Sequence, residues 1–309
     1  MTEPSSLARR LAALSSLAAA MVLTGANVVL AKAISAELPV YMVLVFRFLL
    51  ATVALAVLAR HEPGPRLKHM TARQGRDLAA MAVVGMVGFT ALLFEGLKRT
   101  SAADAGIITA TLPAVAALLG ILVMGERVRL PQIGAVALAV AGLLVVETTG
   151  AQRGSATVVG NLLVVAAVLC EASFVILGKR LAPPYQPLRL ALGANVVALI
   201  FAAPLALLAA PFDLAAVSVG MWLMATWYAL SASVFCLWLW YRGLPEVETW
   251  LAGLTTAAVP VTALAASALI LAETIDAWTL VGGALVLAAI GLGAVPPSPP
   301  SKPRSTPRP

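Results

Sequence analysis

The 309-residue chain is short of charge. Only 11% of its residues are Asp, Glu, Lys or Arg, where a soluble domain carries roughly a quarter. So little charge cannot cover the surface of a water-soluble protein of this size. With 61% hydrophobic residues and a mean hydropathy of +0.96, the chain reads as an integral membrane protein. Histidine is scarce too. His61 and His69 stand together in one basic stretch, which excludes a histidine-rich metal or catalytic cluster; no metal site and no cofactor is expected. Cys170 and Cys236 lie in separate apolar runs. They read as small buried hydrophobes and exclude a disulfide framework. No phosphate-binding glycine loop is present: Gly85-Met86-Val87-Gly88 sits inside an apolar run, where small residues mean close helix packing. The net charge of +7 does not call for nucleic acid. The basic residues fall in short loops between apolar runs, as membrane orientation requires.

What the chain does have is long apolar runs. Spans are predicted at 11–33, 39–59, 77–97, 101–124, 130–146, 156–178, 188–209, 217–241, 249–271 and 277–295. Each approaches or reaches the roughly 20 residues a helix needs to cross hydrocarbon. Continuous runs of this length exclude barrel strands. Arg9 and Arg10 before the first run resemble the start of a signal peptide, but the run continues to about Ala33 and is read as a retained span. Residues 1–10 form a short cytoplasmic segment, 148–155 a polar linker, and 296–309 a tail rich in Pro, Ser and Arg that is expected to be disordered. With ten spans, sixteen of the Lys and Arg residues fall on the side of the termini and four on the other, while Arg47 lies within a span. That bias puts both termini in the cytoplasm.

The spans divide into matching halves, 11–147 and 156–295. Gly96 recurs as Gly243, Leu97 as Leu244, Gly106 as Gly253, Pro113 as Pro260 and Glu126 as Glu273, all at one offset of 147 residues. Lys32 and Lys179 share it. A constant offset over so many landmarks marks an internal duplication. Each half holds an odd number of spans, so the second must enter the membrane from the opposite side. The expected fold is all-α, ten transmembrane helices as two inverted five-helix repeats, an architecture of alternating-access carriers.

Polar groups inside the spans are the candidates for chemistry. Arg47 lies some eight residues into the second span, and a charge at that depth needs a partner or a watered cavity. Glu95 and Glu171 are the acidic candidates; Glu171, deep in the sixth span, could meet a substrate ammonium or a coupling proton. Asn27 and Asn195 could orient a substrate or join helices. Trp227, Tyr228 and Phe235, deep in the aromatic-rich eighth span, are candidates for an apolar wall. These eight residues are the candidate substrate cavity. Pro113 and Pro260 should bend the fourth and ninth spans at equivalent depths, as a hinge or a fixed kink. Glu126 and Glu273, at the ends of those spans on opposite faces of the membrane, are expected to cap the N-terminus of the next helix and to face a gate, a structural role rather than substrate contact.

The five-plus-five repeat, with proline–glutamate helices ending in Gly125-Glu126 and Ala272-Glu273, resembles the drug/metabolite transporter superfamily in its EamA-domain branch, over about residues 15–295. Thr109-Ala110-Thr111-Leu112-Pro113 through Glu126 is similar to the family's fourth helix, and Val259-Pro260 through Glu273 to its counterpart. Arg47 sits where members commonly carry a basic residue. The second half departs in having Ala272 before its glutamate and Ala194 at the offset from Arg47. The resemblance implies a carrier, not an enzyme, in a bacterial inner membrane, working as a monomer or weak homodimer among membrane lipid. It would export a small amphiphilic metabolite such as an amino acid. One branch exports aromatic amino acids, which the eighth span fits. The alternatives are an importer or exchanger of the same superfamily, a lipid-modifying enzyme, for which no catalytic cluster stands out, and a membrane scaffold without a central cavity.

Overall fold

A computed structural model describes residues 6–62, 65, 67–124, 130–153, 155–181, 184–208, 213–247 and 249–295. Among them there is no strand. The first repeat holds α1 (Ser6–Glu37), α2 (Val40–Leu58), α3 (Ala72–Ala82, a π-helical stretch Val83–Gly88, then Phe89–Leu97), α4 (Ala102–Thr109 and Leu112–Met124) and α5 (Leu130–Arg153). The second holds α6 (Ser155–Leu181), α7 (Pro187–Leu208), α8 (Val219–Leu230, a π-helical stretch Ser231–Phe235, then Cys236–Gly243), α9 (Thr249–Thr255 and Ala258–Ile270) and α10 (Ala277–Gly293). Among the described residues eight stretches are long and apolar enough to cross a membrane, and Leu130–Val146 and Ala277–Gly293 are shorter apolar helices. The chain is a multi-pass membrane protein of two inverted five-helix repeats. The polar break expected at 148–155 is helical through Arg153. The tail at 296–309 lies outside the described residues.

Local signals start several helices. Thr71 accepts from the Gln74 amide and Gln74 bonds back to the Thr71 amide, a capping box at the start of α3. Ser101, Ser218 and Asp276 cap α4, α8 and α10 through their side-chain oxygens.

The duplication recurs in three dimensions. α3 crosses α6 where Gly96 leaves no room for a side chain: a Cβ there would lie 2.9 Å from the Gly160 carbonyl oxygen and 2.8 Å from Val164 Cγ2. α8 crosses α1 in the same way, with a Cβ on Gly243 falling 2.6 Å from the Ala13 carbonyl oxygen and 2.8 Å from Leu17 Cγ. Ala13 and Leu17 are the residues 147 positions before Gly160 and Val164. The two π-helical stretches also coincide at that offset. The interruptions of α4 at 110–111 and α9 at 256–257 match it to within one residue.

Those interruptions correct the expectation of bent spans. Pro113 and Pro260 do not kink continuous helices. Each stands in the first turn of a second helical segment, Leu112–Met124 and Ala258–Ile270, where a missing N–H costs nothing and a fixed φ fits. Short-range bonds tighten the breaks: the Thr111 amide donates to Ile108 O at 3.1 Å and the Ala257 amide to Leu254 O at 3.2 Å. Thr109 Oγ1 donates to Gly106 O at 3.1 Å and Thr256 Oγ1 to Gly253 O at 2.7 Å, again an offset pair.

Candidate functional site

Between the repeats lies a cavity of about 280 Å³, lined by α1–α4 and α6–α9 but not by α5 or α10. The broken helices supply its middle through Thr109, Ala110, Pro113, Thr256 and Val259, and the π-helical stretches contribute Gly85, Met86, Ala232 and Ser233. It is asymmetric along the membrane normal. Towards the face that holds the α8–α9 connection it reaches Trp240 and Ala191, about one helical turn from the ends of their helices. Towards the face that holds the α3–α4 connection it stops at Val28, Leu93, Thr109 and Tyr228, about one turn short of the helix end at Leu93 and about two turns or more at the other three. There the space is filled by a core of buried residues that includes Leu38, Phe94, Leu97 and Ile107. The first is called the mouth face below, the second the far face.

Arg47 projects from α2 into this cavity and is 8% exposed. Its Nε donates to Ser233 Oγ at 3.0 Å, and one terminal nitrogen donates to Thr90 Oγ1 at 2.8 Å and Tyr228 Oη at 3.4 Å. The guanidinium also lies 5.4 Å from the Tyr228 ring centroid and 5.7 Å from that of Phe48, within cation–π range. All these partners are neutral. Among the described residues no carboxylate forms an ion pair with Arg47. The side chain is thus held in place by neutral groups, with no carboxylate at contact distance among the described residues.

Glu171 lines the same cavity from α6, and among the described residues it accepts no hydrogen bond. Asn27 is tied down: its Oδ1 accepts from Ser231 Oγ at 2.7 Å. Asn195 is 1% exposed, donates to Ala191 O at 2.8 Å, and leaves its Oδ1 without a partner. The structure therefore brings Asn27, Arg47, Glu171, Asn195 and Tyr228 to one cavity, with Pro113 in its wall.

It does not bring the other three. Glu95 stands at the end of α3, paired with Lys98 at 2.6 Å and Arg99 at 3.1 Å. It follows the cavity-lining Leu93 by two positions, which turns it about 200° round the helix. Trp227 and Phe235 are 50% and 37% exposed and face outward as a tilted pair, 5.9 Å apart. In a regular helix Phe235 would share the face of Tyr228, seven residues earlier. The π-helical stretch inserts a residue, and Cys236 takes that place in the lining. The aromatic wall consists of Phe89, Phe174 and Trp240 in addition to Tyr228. Trp240 reads in the sequence as part of an interfacial belt, and Phe89 and Phe174 were not singled out there. Nor were Thr90 and Ser233, whose only signal was a hydroxyl in an apolar run.

The helix-end glutamates require a correction as well. Glu273 does not cap the next helix; Asp276 does, accepting from the Thr279 amide at 2.7 Å. Glu273 reaches into the other repeat, where its two carboxylate oxygens accept from the Ala102 and Ala103 amides at 2.9 and 3.1 Å, at the start of α4. Glu126 lies outside the described residues.

Comparisons with known proteins agree with this architecture. The EamA-like transporter family matches residues 11–148 and again 158–293, once per repeat. An "Uncharacterized transporter YetK" of Bacillus subtilis (strain 168) is 30% identical over 287 residues, covering 91% of this chain and 86% of that protein. A second from the same organism, "Uncharacterized transporter YyaM", is 24% identical over 79% of this chain and 81% of its own length. A solved crystal structure shares the fold with a TM-score of 0.64 at 17% identity, covering 92% of this chain and 96% of that one. The two family matches, the inverted repeat and the cavity between its halves lead to one assignment: the chain belongs to the EamA-like transporter family.

Proposed function

We propose that the protein is a secondary transporter that exports a small amphiphilic metabolite, an amino acid or related compound, across a bacterial inner membrane by alternating access. One observation carries the reading. Arg47 and Glu171, of opposite charge and neither ion-paired among the described residues, line the same cavity between the repeats. Arg47 would take a carboxylate and Glu171 an ammonium, while Phe89, Phe174 and Trp240 would face the apolar part. A cavity of about 280 Å³ lies near the lower end of small-molecule sites, which favours a molecule of amino-acid size. The excess of Lys and Arg on the side of the termini supports a cytoplasmic mouth face, so that cargo is loaded from inside.

The test is flux. Purified protein in liposomes, oriented with the mouth face on the loaded side, is offered amino acids together with their decarboxylated and deaminated analogues. Saturable efflux of a zwitterion, with at least tenfold weaker competition by either single-charge analogue, is the expected result. Equal competition by all three sinks the two-charge reading, and no saturable flux of any compound sinks transport itself.

A further inference from the structure

The far face is closed by more than packing. Four residues, 98–101, separate the end of α3 from the start of α4, and this connection is gripped by two charged side chains from elsewhere in the chain. Lys32, on α1, donates from Nζ to the carbonyl oxygens of Leu97 and Thr100, the latter at 2.7 Å. Glu273, after α9, accepts the Ala102 and Ala103 amides. The Asp104 amide is held by Ser101 Oγ at 2.9 Å. The backbone groups that a helix end and a helix start leave open are therefore taken by a cation and an anion of the matching sign. Lys32 also lies within electrostatic range of Glu273. Glu273 comes from the second repeat and the connection from the first, so its two bonds tie the halves together beyond the closed end of the cavity.

Ordinary caps come from the residue beside the helix, and α4 already has one in Ser101. A bidentate carboxylate from the other repeat is not needed to start the helix. It makes the position of the α3–α4 connection depend on the position of α9. The same two residue types recur at the offset of 147, as Lys179 and Glu126, as expected of a device used once for each face.

We propose that Lys32 and Glu273 form a releasable clamp that holds the far face shut, and that they are positioning residues whose release opens the cavity to that face. The proposal rests on the transport reading, but its test needs no substrate. With Cys170 replaced by alanine, Cys236 in the cavity wall remains as the one thiol. Membrane-impermeant thiol reagent is applied to one face at a time in vesicles of known sidedness. The parent protein labels from the mouth face and not from the far face. Glu273→Gln and Lys32→Met, which attack the clamp from opposite sides, each raise far-face labelling by about tenfold and lower mouth-face labelling. A merely structural role would lower the melting temperature without changing the face that labels. Either variant, folded as judged by gel filtration and helical circular dichroism, that keeps the parent's sidedness overturns the clamp. Sidedness that switches in a protein with no flux of any metabolite leaves the clamp standing and removes the transport reading instead.

Discussion

The two repeats share a scaffold and differ in chemistry. Their helix breaks, π-helical stretches and glycine crossings recur at the 147-residue offset to within one residue. Their polar lining does not. The counterpart of Arg47 is Ala194, and the counterparts of its three hydroxyl partners Thr90, Ser233 and Tyr228 are Leu237, Met86 and Met81. Glu171 corresponds to Thr24, and Asn27 to Phe174. Opening first to one face and then to the other asks for two equivalent halves. A cargo with one acid end and one base end asks for two different ones. The molecule keeps its backbone symmetric and its cavity side chains not, as alternating access to the proposed zwitterion would require.

The comparison can be broken most severely at Arg47. Arg47→Ala should lower flux per folded molecule by about 100-fold, the scale of losing a buried charged contact. Moving the charge to the equivalent place, in Arg47→Ala with Ala194→Arg, should not restore it, because the second site lacks the hydroxyls. Restored flux in liposomes would show that the halves are chemically interchangeable after all. Glu171→Gln should cost about tenfold, and the loss should be largest for zwitterions and smallest for cargo without an ammonium, read from competition profiles.

The shared scaffold gives the next effects. Gly96→Ala and Gly243→Ala should each destabilise by about 1–3 kcal/mol, in similar measure, since each pushes a methyl into a carbonyl of the crossing helix. Thermal unfolding in detergent measures both, and a cost confined to one half would count against equivalent crossings. The smallest effect is a gain. Ala272 has φ of 52°, a left-handed conformation that glycine adopts without strain. Its counterpart is Gly125. Ala272→Gly should stabilise by about 1 kcal/mol, seen as a modest rise in melting temperature.

Most of the architecture was legible because it rests on apolar run length and on repetition, both of which a sequence displays directly. The places of Arg47 and Glu171 in the cavity wall were legible for a related reason: a charge within an apolar run is costly unless it meets a partner or a watered cavity. Thr90 and Ser233 were not, because hydroxyls in membrane helices commonly bond back to their own backbone, as Thr226 does to Trp222 O at 2.8 Å. Phe235 was assigned to the wrong face because periodicity arguments assume an unbroken α-helix, and the extra residue of the π-helical stretch shifts everything after it. The role of Glu273 was misread for a third reason. The amides it binds lie 170 positions or more away in sequence, and no local pattern announces a partner in the other half.

The paired π-helical stretches also keep time. Each is one residue more than a plain helix needs, and a single inserted residue is a rare and specific event. Both halves carry it at the same place, so it entered the ancestral half before that half was copied. The helix breaks and the glycine crossings belong to the same early layer. Arg47 and Glu171, present in one half and absent from the other, are where the two copies differ, and the cavity is where that difference is concentrated.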